Sequence, residues 1–211
     1  MTYDLYFRPR AGEADAAAVF DWLRQRPNVE VKGSEALYGN DDTGIYFHFE
    51  QQEPDEADET GDSRYPFALQ VNLFRPSTFI REIEPEVTAL VRQFDLVVFD
   101  PQLEASETAE APPYSPERLV ASWEASNYGG YRGILSDPKG RKGLLSLPRQ
   151  VLHEAWRWNH DRRALQQQRG EAQYVALVSF VDVGDQAVAA AFWPDAIPSV
   201  LPRTEGVLVV R

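Results

Sequence analysis

The 211-residue chain has no cysteine, one methionine, three histidines and only three lysines. Without cysteine there is no disulfide framework, no cysteine-ligated zinc or iron–sulfur cluster, and no thiol nucleophile. Cations are scarce: 21 Lys and Arg stand against 33 Asp and Glu, a formal charge of −12. A chain this acidic repels phosphates and has few side chains to replace their counterions, so nucleic acid is not an expected partner. No apolar run approaches the roughly 20 residues needed to cross a bilayer. The longest, around Val175 to Val181, is interrupted by Ser179 and reads as a buried strand. Met1-Thr2-Tyr3-Asp4-Leu5 lacks the basic start and apolar stretch of a secretory signal. A cytoplasmic protein without membrane association is the expectation.

What is present suffices for a core: 43% of residues are hydrophobic and 12% aromatic, unlike a disordered acidic tail. The length suits one large domain or two small ones. Tyr3 to Phe7 reads as a strand closed by Pro9. Ala16, Val19, Phe20 and Leu23 follow the i, i+3, i+4, i+7 spacing of a helical stripe, ended by Pro27. Val29 to Val31 and Ala36 to Tyr38 read as one extended stretch or two short pieces, followed by the turn formers Gly39 to Gly44. Ile45 to Glu50 alternates, with Ile45, Phe47 and Phe49 on one face and Tyr46, His48 and Glu50 on the other. Phe67 to Phe74 resumes as a strand, and Ser77 is a candidate N-cap. Pro85 suits a first turn or a kink, Val87, Leu90, Val91 and Phe94 form a second stripe, and Leu96 to Phe99 closes as a strand.

Residues 1–100 therefore read β-α-β-β-β-α-β, an α+β core with two helices on one face of a mixed, split-βαβ-like sheet. Residues 101–116 read as an acidic, proline-containing linker or loop. Residues 117–211 read as a helical segment followed by a β-hairpin, packed on the first part as one unit. Pro116 to Ser126 is a helix in this reading, broken at Asn127-Tyr128-Gly129-Gly130. Asp137 to Gly143 is a turn, Pro148 to Gln168 a long helix stopped by Gly170, and Gly184-Asp185 the turn of the hairpin. Val207 to Val210 is a candidate last strand.

No catalytic constellation stands out. His48 and Glu50 share a strand face, as a base and its orienting carboxylate or two metal ligands would, yet any half-solvated strand shows such pairs. His153 and His160 lie seven residues apart, about 10 Å along a helix, too far to share one zinc. Asp41-Asp42-Thr43-Gly44 lacks the alternation and closing Glu of a calcium loop. Gly129 to Gly133 lacks the Lys-Ser/Thr ending of a phosphate loop, and no serine stands in a Gly-x-Ser-x-Gly context. No metal, cofactor or catalytic nucleophile is predicted. In Trp156-Arg157-Trp158-Asn159 the two indoles point to different sides of a helix, so an exposed one would mark an interface.

Charge is more informative. Residues 1–110 carry 23 acids and 9 bases, whereas 111–211 carry 10 acids and 12 bases. Glu50 to Asp62, with seven acids, and Asp100 to Glu110, with four, contain no base and read as exposed loops. Such a surface steers onto a basic partner, maintains solubility, or pairs internally with the basic helix.

Taken together, Thr2 to Phe7, Glu84 to Val91, Trp156 to Asn159 and Trp193-Pro194-Asp195-Ala196-Ile197-Pro198 resemble a family of uncharacterised cytosolic bacterial proteins. The resemblance implies a bacterial origin and transfers no catalytic residue. In general character such chains are similar to toxin-neutralising immunity proteins. The expectation is a non-enzymatic binding module whose acidic surface engages a basic protein partner. Its candidate binding residues are Asp41, Asp42, Tyr46, His48, Glu50, Trp156 and Arg157. One alternative is a small-molecule enzyme with a cleft lined by His48, Glu50, His153 and Arg157. The other is a homodimeric subunit.

Overall fold

The computed structural model describes residues 1–13, 15–52, 65–103, 113–137 and 144–210. Most of the two acidic stretches and of the 101–116 linker, and the turn at 138–143, lie outside the described residues. The chain divides into two compact units, residues 1–40 with 45–135, and residues 41–44 with 136–211.

Alternating hydrophobicity builds the first unit around six strands: β1 (Thr2–Pro9), β2 (Val29–Lys32), β3 (Glu35–Asn40), β4 (Ile45–Gln51), β5 (Phe67–Asn72) and β6 (Leu96–Phe99). They are ordered β2-β3-β4-β5-β1-β6. The class is α+β, but the sheet is antiparallel at every pairing rather than mixed. The reason is that neither helical crossover joins neighbouring strands. Helix α1 (Ala16–Arg24) links β1 to β2, which β5, β4 and β3 separate. Helix α2 (Ile80–Phe94) links β5 to β6, and both run antiparallel to β1 between them, a split βαβ unit. The stretch 29–40 is two strands, turning at Gly33 with φ +58°, so the unit has one strand more than the β-α-β-β-β-α-β reading.

Period two assigns the faces. Tyr3, Leu5 and Phe7 pair with Val71, Leu69 and Phe67, and Phe49 continues the Leu5–Leu69 row, all of them buried. The helices cover this face. Asp15 caps α1 by accepting from the Ala18 amide at 2.9 Å, and Phe20 packs on Phe67. On α2, Ile83, Val87 and Leu90 are buried, and Asp95 closes it in the left-handed region at φ 47°. Ser77 makes no capping bond: a 3-10 turn, Ser77–Phe79, precedes α2, and Pro85 lies inside that helix.

Charge enters this core with partners. Tyr38 Oη and Asn40 Nδ2 donate to the buried Glu82 carboxylate at 2.7 and 3.0 Å. Arg26 grips Glu86 through two bonds of 2.9 and 3.0 Å. Asp100, expected within an exposed acidic loop, is buried and accepts from Tyr3 Oη at 2.9 Å.

Helix α3 (Pro116–Ser136) corrects the expected break at 127–130. Ser115 caps it, its Oγ accepting from the Arg118 amide at 3.1 Å. Trp123 is fully buried edge-on against Tyr3. Asn127 donates through Nδ2 to the carbonyls of Leu73 and Arg75 at 2.7 and 2.9 Å. One turn on, a Cβ at Gly130 would stand 2.9 Å from Leu73 Cδ2 and 3.2 Å from Phe74 Cε1. The glycine thus lets the helix approach the chain leaving β5, a contact that outweighs its poor helix propensity. As a result nearly all of α3, grouped by the sequence reading with residues 117–211, belongs to the first unit.

The second unit contains helix α4 (Arg149–Arg169), stopped at Gly170 with φ 64°. After it come β7 (Tyr174–Val175), β8 (Val178–Asp182), β9 (Ala187–Pro194), β10 (Ser199–Val200) and β11 (Gly206–Val210). The expected hairpin is β8–β9, with positive φ at both Gly184 and Asp185 as a tight two-residue turn requires. β11 pairs parallel with β9, and β7 with β10. Polar side chains tether α4 to the strands. Asn159 bonds both the amide and the carbonyl of Val178, at 2.9 and 2.8 Å. Arg162 donates to Val175 O at 2.9 Å, and Gln166 Oε1 accepts from Val175 N at 2.8 Å.

Candidate functional site

The face of the six-stranded sheet opposite α1 and α2 is where three of the expected residues meet. Register places Glu30, Leu37, His48, Gln70 and Asp4 in one row across five strands. The next row is Lys32, Glu35, Glu50, Ala68, Tyr6 and Phe99. Tyr46 stands beside Gly39 at the other side of His48. Period two puts mostly polar side chains on this face from β2 to β4, whereas Ala68 and Phe99, towards its β6 end, are buried.

Glu50 Oε1 accepts from Gln70 Nε2 at 2.7 Å and from Gln52 Nε2, while Oε2 lies 4.0 Å from His48 Nε2. Glu50 is half-buried and oriented by two amides, and His48 stands at the edge of its reach. The Tyr46 ring is covered on one side by Arg75, whose guanidinium carbon lies 4.8 Å from the ring centre and which also donates to the hydroxyl. Tyr46 and Leu37 remain 42% and 46% exposed, a large exposure for apolar side chains on a structured sheet. Four carboxylates, Asp4, Glu30, Glu35 and Glu50, share this face with Lys32, which pairs with Glu30 at 2.8 Å, and with Arg8, which lies over Tyr65. The arrangement holds acidic groups around an exposed aromatic and an exposed aliphatic side chain. It offers no nucleophile, and among the described residues no three His, Asp or Glu are grouped to hold a metal.

The other four expected residues belong to the second unit. Asp42 does not present an open carboxylate: Arg162 Nη1 and Arg163 Nε bind its two oxygens at 2.7 and 2.6 Å, and its side chain is 11% exposed. This acid is consumed by the basic helix. Asp41 beside it is exposed. Trp156 is half-buried, its ring 5.1 Å from that of His160, and Arg157 is exposed. Trp158 points elsewhere, its Nε1 donating to Ala176 O at 2.6 Å. His48 and Glu50 thus lie in the first unit, and His153 and Arg157 in the second.

The strongest proton-affinity shifts lie away from the open face. Burial, then Asp100, pushes the Tyr3 hydroxyl up, and burial, then Glu82, does the same at Tyr38. Burial pushes Tyr114 up to about 12. The Tyr3 and Tyr38 hydroxyls are structural donors, to Asp100 and Glu82. Sequence reasoning missed Asp4, Glu30, Glu35, Leu37 and Gln70 as members of the face, because only cross-strand register brings them beside His48 and Glu50. Alternation around Leu37 was the one available signal. Among the described residues no helix is long and apolar enough to cross a membrane. Comparison with family models, curated proteins and solved structures finds no match for the chain.

Proposed function

We propose that this protein is a non-enzymatic binding module that captures a basic protein on the open face of its six-stranded sheet. The observation that carries the reading is that face itself: Glu35 and Glu50 lie on it together with the exposed Leu37 and Tyr46. Carboxylates steer a cationic partner and raise its on-rate, while an exposed tyrosine and leucine supply the apolar anchor that retains it. A basic toxin held inactive by this chain is the partner class that the character of the sequence favours. The test compares capture of a panel of purified basic bacterial proteins by the wild type and by a Glu35→Lys/Tyr46→Ala variant. Salt is raised from about 0.1 M to about 1 M, which shortens the Debye length from about 10 to about 3 Å. A partner lost on both changes supports the proposal. Salt-insensitive capture, or capture unaffected by the variant, refutes it.

Self-association is a second reading, favoured by β11. It is an edge strand of its sheet, and Val207, Leu208, Val209 and Val210 are all exposed. Four consecutive exposed aliphatic residues on an edge strand invite pairing with a second copy. Sedimentation at high concentration decides: a dimer that Val209→Lys dissociates supports it, and a monomer rejects it.

A further inference from the structure

The second unit contains a cavity of about 670 Å³ between α4, the β8–β9 hairpin and residues 202–205. That volume falls within the roughly 300–1,000 Å³ of small-molecule sites. Its origin is side-chain size. The buried cluster beneath α4 is Ala155, Val178 and Ala189, with Val151 and Trp158 packed against it and only partly buried. Alanines on both the helix and the strand fill little of the layer between them, so the space stays open. Trp158 does not collapse into it, because its Nε1 is bonded to Ala176 O at 2.6 Å and holds the indole in place. The floor is therefore apolar and fixed.

The rim is charged. Glu154 projects from α4, and Arg203 and Glu205 come from the segment before β11. Among the described residues, the side chains of Arg203 and Glu205 make no hydrogen bond or ion pair. Glu154, among the described residues, accepts only from Gln150 Nε2, at 2.9 Å. Two carboxylates and one guanidinium thus surround an apolar floor with their charges uncommitted to one another. Carboxylates outnumber the cation, which selects for positive charge in whatever enters.

We propose that this cavity binds a small amphipathic amine. The apolar, preferably aromatic, body lies against Val151, Ala155 and Trp158, and the ammonium sits between Glu154 and Glu205. The site is independent of the sheet face, so either assignment stands without the other.

The test uses the full chain and two probes of matched shape, 2-phenylethylamine and 3-phenylpropionate, titrated by calorimetry and ligand-observed NMR. The amine is expected to bind saturably, with a dissociation constant of about 1 mM for so small a ligand. The carboxylate is expected to bind about tenfold more weakly. Glu154→Gln with Glu205→Gln should erase that preference, and both positions are exposed, so folding is not at issue. Val151→Phe, which places a ring in the cavity, should weaken the amine about tenfold. If that variant melts early, Ala155→Val serves as the second filler. No saturable amine binding, equal binding of the two probes, or affinity unchanged in a folded filler variant would overturn the proposal.

Discussion

Alanine substitution along α3 should reverse sign within a single turn. In a helix interior Gly→Ala is worth about 1 kcal/mol in favour of alanine. At Gly129 and Gly133 an added Cβ meets nothing within 4 Å. Both variants should therefore gain about 0.5–1 kcal/mol. At Gly130 the same methyl meets Leu73 Cδ2 at 2.9 Å and Phe74 Cε1 at 3.2 Å. Leu73 is only 6% exposed, so its branch has little room to swing away. Forcing a methyl into a filled contact costs about 1–3 kcal/mol. Set against the propensity gain, Gly130→Ala should be neutral to about 2 kcal/mol destabilising. The gap between the 129 and 130 variants is then about 1–3 kcal/mol. Urea denaturation of the full chain reads it. Tryptophan fluorescence is the probe, because Trp123 is fully buried in the same helix. Equal stabilisation by all three alanines would refute the close approach of α3 to Leu73. Destabilisation at Gly129 or Gly133 would refute the continuous helix.

Three further outcomes are expected. Tyr38→Phe strips the buried Glu82 carboxylate of one donor and should cost about 1.5–3 kcal/mol in thermal or urea melts; a cost near zero contradicts the buried pairing. Asp42→Asn leaves Arg162 and Arg163 without their acceptor charge and should cost about 1–3 kcal/mol, whereas Asp41→Asn should stay within about 0.5 kcal/mol, as denaturation midpoints will show. The alkaline limb follows from the tyrosines. Tyr114 is raised to about 12, and Tyr3 and Tyr38 are raised too, all chiefly by burial. Their folded-state values lie above the unfolded value near 10, so the folded state holds protons that the unfolded chain releases. Stability is full below about pH 10 and falls as pH rises through and beyond it. Melts on either side of about pH 10, with tyrosinate absorbance, check this. Ionisation of all nine tyrosines at the ordinary value in still-folded protein would contradict it.

Periodicity makes the local elements legible. Ile45 to Glu50 alternates and is a strand, Leu96 to Phe99 is a strand with the expected bounds, and Val19, Phe20 and Leu23 are the buried stripe of α1. What stays illegible depends on partners distant in sequence. Gly129-Gly130 reads as a break, yet Leu73 and Phe74, more than fifty residues earlier, make Gly130 a contact position inside a helix. Asn159, Arg162 and Gln166 carry no apolar signal, yet they fasten α4 to the strands by bonding strand backbone. Asp42 reads as an open acid until Arg162 and Arg163 are seen on it. For the candidate site, alternation along β4 already groups Tyr46, His48 and Glu50. The row through Glu30, Leu37, Gln70 and Asp4 needs the sheet order, which no single strand encodes.

The most direct test of the account is quantitative mass spectrometry of proteins captured from a bacterial lysate by the immobilised full chain. Wild type is compared with Glu35→Lys/Tyr46→Ala at about 0.1 M and about 1 M salt. The account predicts at least one basic protein that is enriched on the wild type at low salt, and lost both on the variant and at high salt. Equal capture by the two chains, or enrichment without any basic protein, would contradict it.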